Sequence, residues 1–128
     1  MKPAIEGISV ITLHVSDTKA SVQFYRNLLG LELLYGGERS SFSSLRAADS
    51  GSVILNLEHG HVVSRWGRII FHVVDVDAFW SHLKGNGFDP EIPRDTSWGE
   101  RYFHVLDLDG HELPFAQPLQ AASDKSLA

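Results

Sequence analysis

The sequence predicts an α+β protein built from two βαβββ modules, and three observations carry that prediction. The stretch Val10-Ile-Thr-Leu-His-Val-Ser-Asp17 returns as Arg68-Ile-Ile-Phe-His-Val-Val-Asp75, with His14 and His72 lying 58 residues apart. In both copies the Asp opens a helical pattern, Asp17-Thr-Lys-Ala20 and Asp75-Val-Asp-Ala78. After each helical pattern come short β-rich segments separated by Gly, Asp and Ser. A repeat at nearly half the chain length marks two copies of one supersecondary unit.

The elements follow in order. Residues 8–15 read as a strand, and Asp17 as the N-cap of a helix with Ala20, Phe24 and Leu28 on one face, Tyr25 and Leu29 beside them, and Gly30 at its end. Residues 31–35 form the next expected strand, Gly36-Gly37 a hairpin turn, and 39–47 a Ser-rich strand. Ala48-Asp49-Ser50-Gly51 is the following turn, and 52–58 alternates as a strand. Module one thus spans 8–58, and the polar stretch 59–66 is the linker. Module two spans 67–117. Its helix is expected from Asp75 to about Lys84, burying Val76, Phe79 and Leu83 and ending at Gly85-Asn86-Gly87. Residues 88–92 are expected as a short strand broken by Pro90 and Pro93, with 94–98 as a loop. The strands 99–106 and 111–116 close the module around the turn Asp107-Leu108-Asp109-Gly110. The tail 118–128 has no periodicity and is expected to be flexible. A chain of 128 residues suits one domain with a real core.

Composition narrows the function. A net charge of −5 without a Lys/Arg block argues against nucleic acid and anionic membranes as partners. No apolar run approaches the ~20 residues of a spanning helix, and no signal-peptide core is present. With no Cys, a thiolate nucleophile is excluded and any metal must use His, Asp or Glu. A cytoplasmic location is expected. Gly-x-Ser-x-Gly is absent, the paired glycines are turn residues, and Asp107 to Gly110 is too short for a calcium loop.

Strand side chains alternate between faces, which sorts the two sides. Ile11, Leu13 and Val15, their repeat Ile69, Phe71 and Val73, and Val53, Leu55 and Leu57 are uniformly apolar, as are Phe103, Val105, Leu113 and Phe115. These belong under the helices. The opposite face mixes His14, Asn56, Glu58, Arg68, His72, Tyr102, His104 and Glu112 with apolar residues. Such a mixture suggests a ligand-lined concavity, the alternatives being a hydrated face or one covered by a partner subunit. Those eight residues, with Trp98, are the candidate binding set. Arg68 could clamp an anionic or carbonyl group by bidentate hydrogen bonds, or pair with Glu58 or Glu112 as a structural charge. Trp66, Trp98, Phe42 and Tyr102 offer flat surface for a planar ligand, the alternative being core packing or a dimer seam, which suits Phe42 better.

Together with the two modules, three motifs resemble the vicinal oxygen chelate superfamily: Phe24-Tyr25 with Leu29-Gly30-Leu31, Trp98-Gly99-Glu100-Arg101, and Asp107-Leu108-Asp109-Gly110-His111-Glu112-Leu113. That group contains glyoxalase I, extradiol dioxygenases, fosfomycin-resistance enzymes and bleomycin-resistance proteins, and the Trp98 segment looks most like the last. The resemblance, over residues 8–117, implies paired modules curling an eight-stranded mixed sheet around a cleft, with helices on the outer face. It also implies a homodimer with a small molecule in its clefts.

The family's enzymes hold a divalent metal through one side chain from the first and last strand of each module. Carried over, these positions fall on Val10, Asn56, Arg68 and Pro114, and none keeps its ligand type. Val and Pro offer no donor, Asn is a weak neutral ligand, and Arg brings a fixed positive charge. The implied reading is a binding protein without metal or other cofactor, sequestering a hydrophobic or aromatic compound such as an antibiotic. One alternative is a metal-dependent lyase, isomerase or dioxygenase with a displaced ligand set, His14, Glu58 and His72. The other is a metal-free enzyme with His14, His72 or His104 as general base and Arg68 as oxyanion partner.

Overall fold

A computed structural model describes residues 3–47 and 53–119. The turn expected at 48–51, the start of the strand expected at 52–58, and all but the first two residues of the tail expected at 118–128 lie outside the described residues. The chain divides into two compact units between Val63 and Ser64.

In the first unit, the β-branched run forms β1 (Val10–Val15), with Leu13 and Val15 buried and Thr12 and His14 exposed. Asp17 then caps a helix as its sequence position requires: its Oδ1 accepts the Ala20 N–H at 3.0 Å. This helix, α1 (Thr18–Val22), continues as a π-helical segment over Gln23–Leu28. There the Leu29 N–H donates to the Phe24 carbonyl, five residues back, at 3.0 Å. The wider turn changes the buried face. Regular spacing places Ala20, Phe24 and Leu28 inward, but Ser21, Val22, Phe24 and Tyr25 are the buried residues, while Ala20, Leu28 and Leu29 are only partly covered. The adjacent aromatics Phe24 and Tyr25 meet edge to face at 5.0 Å. Gly30, with φ +83°, ends the segment in the left-handed conformation.

Three strands complete this unit: β2 (Glu32–Tyr35), β3 (Phe42–Arg46) and β4 (Ile54–His59). Their order is β1-β4-β3-β2, with β1 and β4 parallel and the remaining pairs antiparallel. The link from β2 to β3 runs through residues 36–41 instead of closing as a two-residue hairpin. Gly36 shows why glycine is required: φ is +82°, and a Cβ would lie 2.3 Å from the Phe42 carbonyl oxygen. The inward faces of β3 and β4 pack against α1 through Leu45, Leu55 and Leu57.

The second unit repeats the plan. Asp75 Oδ1 accepts the Ala78 N–H at 3.0 Å and opens α2 (Val76–Gly85), which buries Val76 and Leu83. Gly87, at φ +91°, follows its end. The strands are β5 (Phe71–His72), β6 (Arg94–Asp95), β7 (Glu100–Leu106) and β8 (Glu112–Pro118), in the order β5-β8-β7-β6 with β5 parallel to β8. The repeat strand is regular only at Phe71–His72; before it, Arg68 makes an isolated parallel bridge to Glu112. The expected assignments at 88–92 and 94–98 are reversed: the edge strand is Arg94–Asp95, and 88–93 is irregular. Pro90 and Pro93 have no N–H to donate to a ladder, so between them only the Glu91 N–H reaches β7, at the His104 carbonyl, and the regular ladder begins past Pro93.

Eight strands are present among the described residues, four in each of two mixed sheets; seven correspond to expected strands, and Arg94–Asp95 takes the place of the one expected at 88–92. At the centre of the second unit, Phe115 stacks on Phe103 at 5.2 Å and on Phe71 at 5.6 Å, with Phe79 of α2 at 4.8 Å. On this unit's surface Arg101 joins Asp77 of α2 to Asp95 of β6, and those hydrogen bonds raise its pKa above the ordinary arginine value. No helix among the described residues is long and apolar enough to cross a membrane.

Candidate functional site

The nine candidate residues divide between the two sheets. His14, Asn56 and Glu58 lie on the open face of the first, in β1 and β4, where His14 and Glu58 are register partners. His14 Nδ1 is 3.1 Å from the His61 carbonyl oxygen. Asn56 belongs to a cross-strand ladder: its Oδ1 accepts from Ser44 Oγ at 2.7 Å, and its Nδ2 donates to Thr12 Oγ1 at 3.4 Å. Among the described residues, no three His, Asp or Glu side chains gather into a potential metal site in either unit. Of the displaced set, His14 and Glu58 sit in the first unit, and His72 sits in the second with its Nε2 near Glu100.

The second sheet carries a solvent-open concavity of about 180 Å³ on the face opposite α2's aromatic core. Arg68, Trp98, Tyr102, His104 and Glu112 line it. His72 is not among the lining residues; its Nε2 lies 3.3 Å from Glu100 Oε2, at the concavity's edge. Ile70, Glu100, Pro114 and Ala116 also line it. Of these, Glu100 was legible as a candidate, because it has the parity of Tyr102 and His104 along β7.

Register gives the concavity its order. Arg68 stands opposite Glu112, His104 opposite Pro114, and Tyr102 and His72 flank Ala116. Both Pro114 and Ala116 are buried, so the middle is apolar and the polar groups lie at the ends and sides. At one end Trp98 Nε1 donates to Glu100 Oε1 at 3.1 Å, and the indole sits 5.9 Å from the Tyr102 ring. Arg94 lies 5.0 Å above the Tyr102 ring and donates to its hydroxyl. That hydrogen bond raises the Arg94 pKa. His104 Nδ1 is 3.0 Å from Glu91 Oε1.

At the other end, Arg68 differs from its neighbours. Among the described residues its guanidinium makes no hydrogen bond or ion pair, and neither does the Glu112 carboxylate. The expected alternative of an Arg68–Glu112 ion pair is not formed.

A model of the Glyoxalase/Bleomycin resistance protein/Dioxygenase superfamily matches residues 7–115. The chain belongs to that superfamily. It is 30% identical over 118 residues to the metallothiol transferase FosB of Staphylococcus epidermidis, covering 85% of this chain and 81% of that protein. Its fold resembles that of TnmS3, an antibiotic-binding protein from Streptomyces sp. CB03234, with a TM-score of 0.79, 24% identity, and 91% and 99% of the two chains covered. It also resembles the fosfomycin resistance protein FosX of Listeria monocytogenes, with a TM-score of 0.75, 23% identity, and 92% and 98% covered.

The structure tests whether this member's residues suit the divalent metal of the family's enzymes. Of the family's ligand positions, Pro114 is buried and has no donor atom, and Arg68 supplies a permanent cation. In the first unit Val10 has no donor, and Asn56 is committed to Ser44 and Thr12. These residues do not fit a divalent cation, which takes oxygen or imidazole donors without a competing positive charge.

Proposed function

We propose that the chain is a metal-independent small-molecule-binding protein that holds a hydrophobic or aromatic compound, such as an antibiotic, on the concave face of its second unit, working as a homodimer in the cytoplasm. One observation carries the reading: the concavity combines an apolar middle and a Trp98–Tyr102 pair with Arg68 and Pro114, the residues that the family resemblance sets at metal-ligand positions. Apolar and aromatic walls with a few placed polar groups are the usual make-up of ligand sites. The likeness to an antibiotic-binding protein and to resistance proteins supports the choice of ligand.

Two results test this reading. Elemental analysis after purification without chelator or nickel column should find well under one metal ion per chain. A panel of aromatic antibiotics should contain a compound that raises the unfolding midpoint equally with and without EDTA. At a free concentration of 100 times Kd the stabilisation is about 2.7 kcal/mol, or roughly 10 °C for a chain of this size. A full metal equivalent, or a midpoint shift abolished by EDTA, removes the metal-independent reading.

The homodimer follows from size and exposure. A concavity of about 180 Å³ falls short of the roughly 300–1,000 Å³ that encloses a drug-sized ligand, and a second copy of the chain supplies the missing wall. Ile70 and Trp98, on or beside the concavity, are 54% and 64% exposed, the kind of apolar surface that a partner covers. Light scattering at micromolar concentration should give twice the 14.2 kDa chain mass. A single species at the chain mass would eliminate the shared-wall arrangement.

A further inference from the structure

We propose that the second unit's concavity selects planar aromatic compounds bearing a single carboxylate or equivalent oxyanion. This inference rests on the binding function proposed above and specifies its ligand class. Arg68 is the carrier. An exposed guanidinium at one end of a concavity with an apolar middle, without a partner among the described residues, offers its planar fork to an incoming oxyanion. Apart from Glu112, the other polar side chains there are already engaged: Glu100 by His72 and Trp98, His104 by Glu91, and Tyr102 by Arg94.

Register sets the shape of the ligand. Arg68 and Glu112 lie four residues along their strands from the His72–Ala116 pair, which corresponds to about 13 Å. Between these levels the sheet presents Ile70 and Pro114, neither with a polar side-chain atom, and beside Pro114 the His104 imidazole, whose Nδ1 faces Glu91 Oε1 at 3.0 Å. An apolar, flat body of two or three fused rings fits this interval, with its oxyanion at Arg68 and its far ring against Trp98 and Tyr102. Glu112 limits the charge. Its carboxylate sits next to Arg68 without pairing, so a second negative group on the ligand meets repulsion from it and from the net charge of −5.

Calorimetric titration with 2-naphthoate, 2-naphthol and 2-naphthylmethylamine tests the inference. The acid should bind tightest, with a roughly tenfold to hundredfold preference over the alcohol, the value of a charge-assisted hydrogen bond. Arg68→Ala should abolish that preference while leaving the unfolding midpoint close to the parent's. Arg68→Lys should keep only part of it, because Lys lacks the fork. Glu112→Gln should tighten 2-naphthoate by roughly two- to fivefold, through loss of a like charge. The inference is overturned if the alcohol or the amine matches the acid, if the preference survives Arg68→Ala, or if 2-naphthoate does not bind at millimolar concentration. If neutral or cationic aromatic compounds raise the midpoint while 2-naphthoate does not, the ligand class falls and the binding function stands. If aromatic compounds of every charge fail, both fall.

Discussion

Phe115→Ala is expected to destabilise the protein by about 3–5 kcal/mol, the range for deleting a fully buried aromatic side chain. Phe115 is 1% exposed on β8, which is paired on both sides, by β5 and β7. Its ring meets Phe103, Phe71 and Phe79 at centroid distances from 4.8 to 5.6 Å. Truncation leaves a cavity bounded by two strands and α2, and the paired strands cannot collapse into it. Because domains have only about 5–15 kcal/mol of stability, much of the total is at stake. Phe115→Leu should cost markedly less by keeping an apolar body in the gap. Urea unfolding should show the midpoint falling with little change in slope. A loss below about 1 kcal/mol for the Ala variant would mean that this aromatic cluster is not the core of the second unit.

Asp107→Ala is expected to cost about 2–4 kcal/mol, because the Asp107 carboxylate organises the turn between β7 and β8. Its Oδ1 accepts the Asp109 N–H at 2.9 Å and the His111 N–H at 2.8 Å, and it is 7% exposed. Removing a charged acceptor leaves two backbone donors unsatisfied near the interior. The damage extends to His111, which is buried and whose Nδ1 accepts the Trp66 indole N–H at 3.1 Å. Asp107→Asn keeps an acceptor oxygen in place and should recover a large part of the loss. Since β8 starts at Glu112, the Ala variant should also weaken ligand binding at the Arg68 end of the concavity. Equal stability of the Ala and Asn variants, both near the parent, would show that backbone pairing alone holds the turn.

What the chain alone determined is local. The repeat of Val10–Asp17 in Arg68–Asp75 identified two modules, because each copy holds a strand pattern and an Asp cap within one short stretch. Asp17 and Asp75 cap as expected, since an N-cap needs only an N–H three residues away. Leu13, Val15, Leu55, Leu57, Phe103, Leu113 and Phe115 are buried as two-residue alternation requires. That Val10 and Pro114 carry no donor atom and Arg68 a fixed positive charge follows from residue type alone.

Tertiary structure decided what depends on distant partners. The π-helical segment departs from 3.6-residue spacing, and within it the adjacent Phe24 and Tyr25 are both buried and packed on each other. Pairing with β7 placed the edge strand at Arg94–Asp95, beyond two prolines that cannot enter the ladder. His72 is drawn to Glu100, 28 residues away, and His104 to Glu91, so two candidate histidines arrive with carboxylate partners. Arg68 instead keeps a free guanidinium among the described residues although Glu112 is its neighbour in register. Residue type and spacing set which face a side chain points to, because that is a property of the strand itself. Which group it meets there is set by strand order and register, and these arise only when segments far apart in sequence pair.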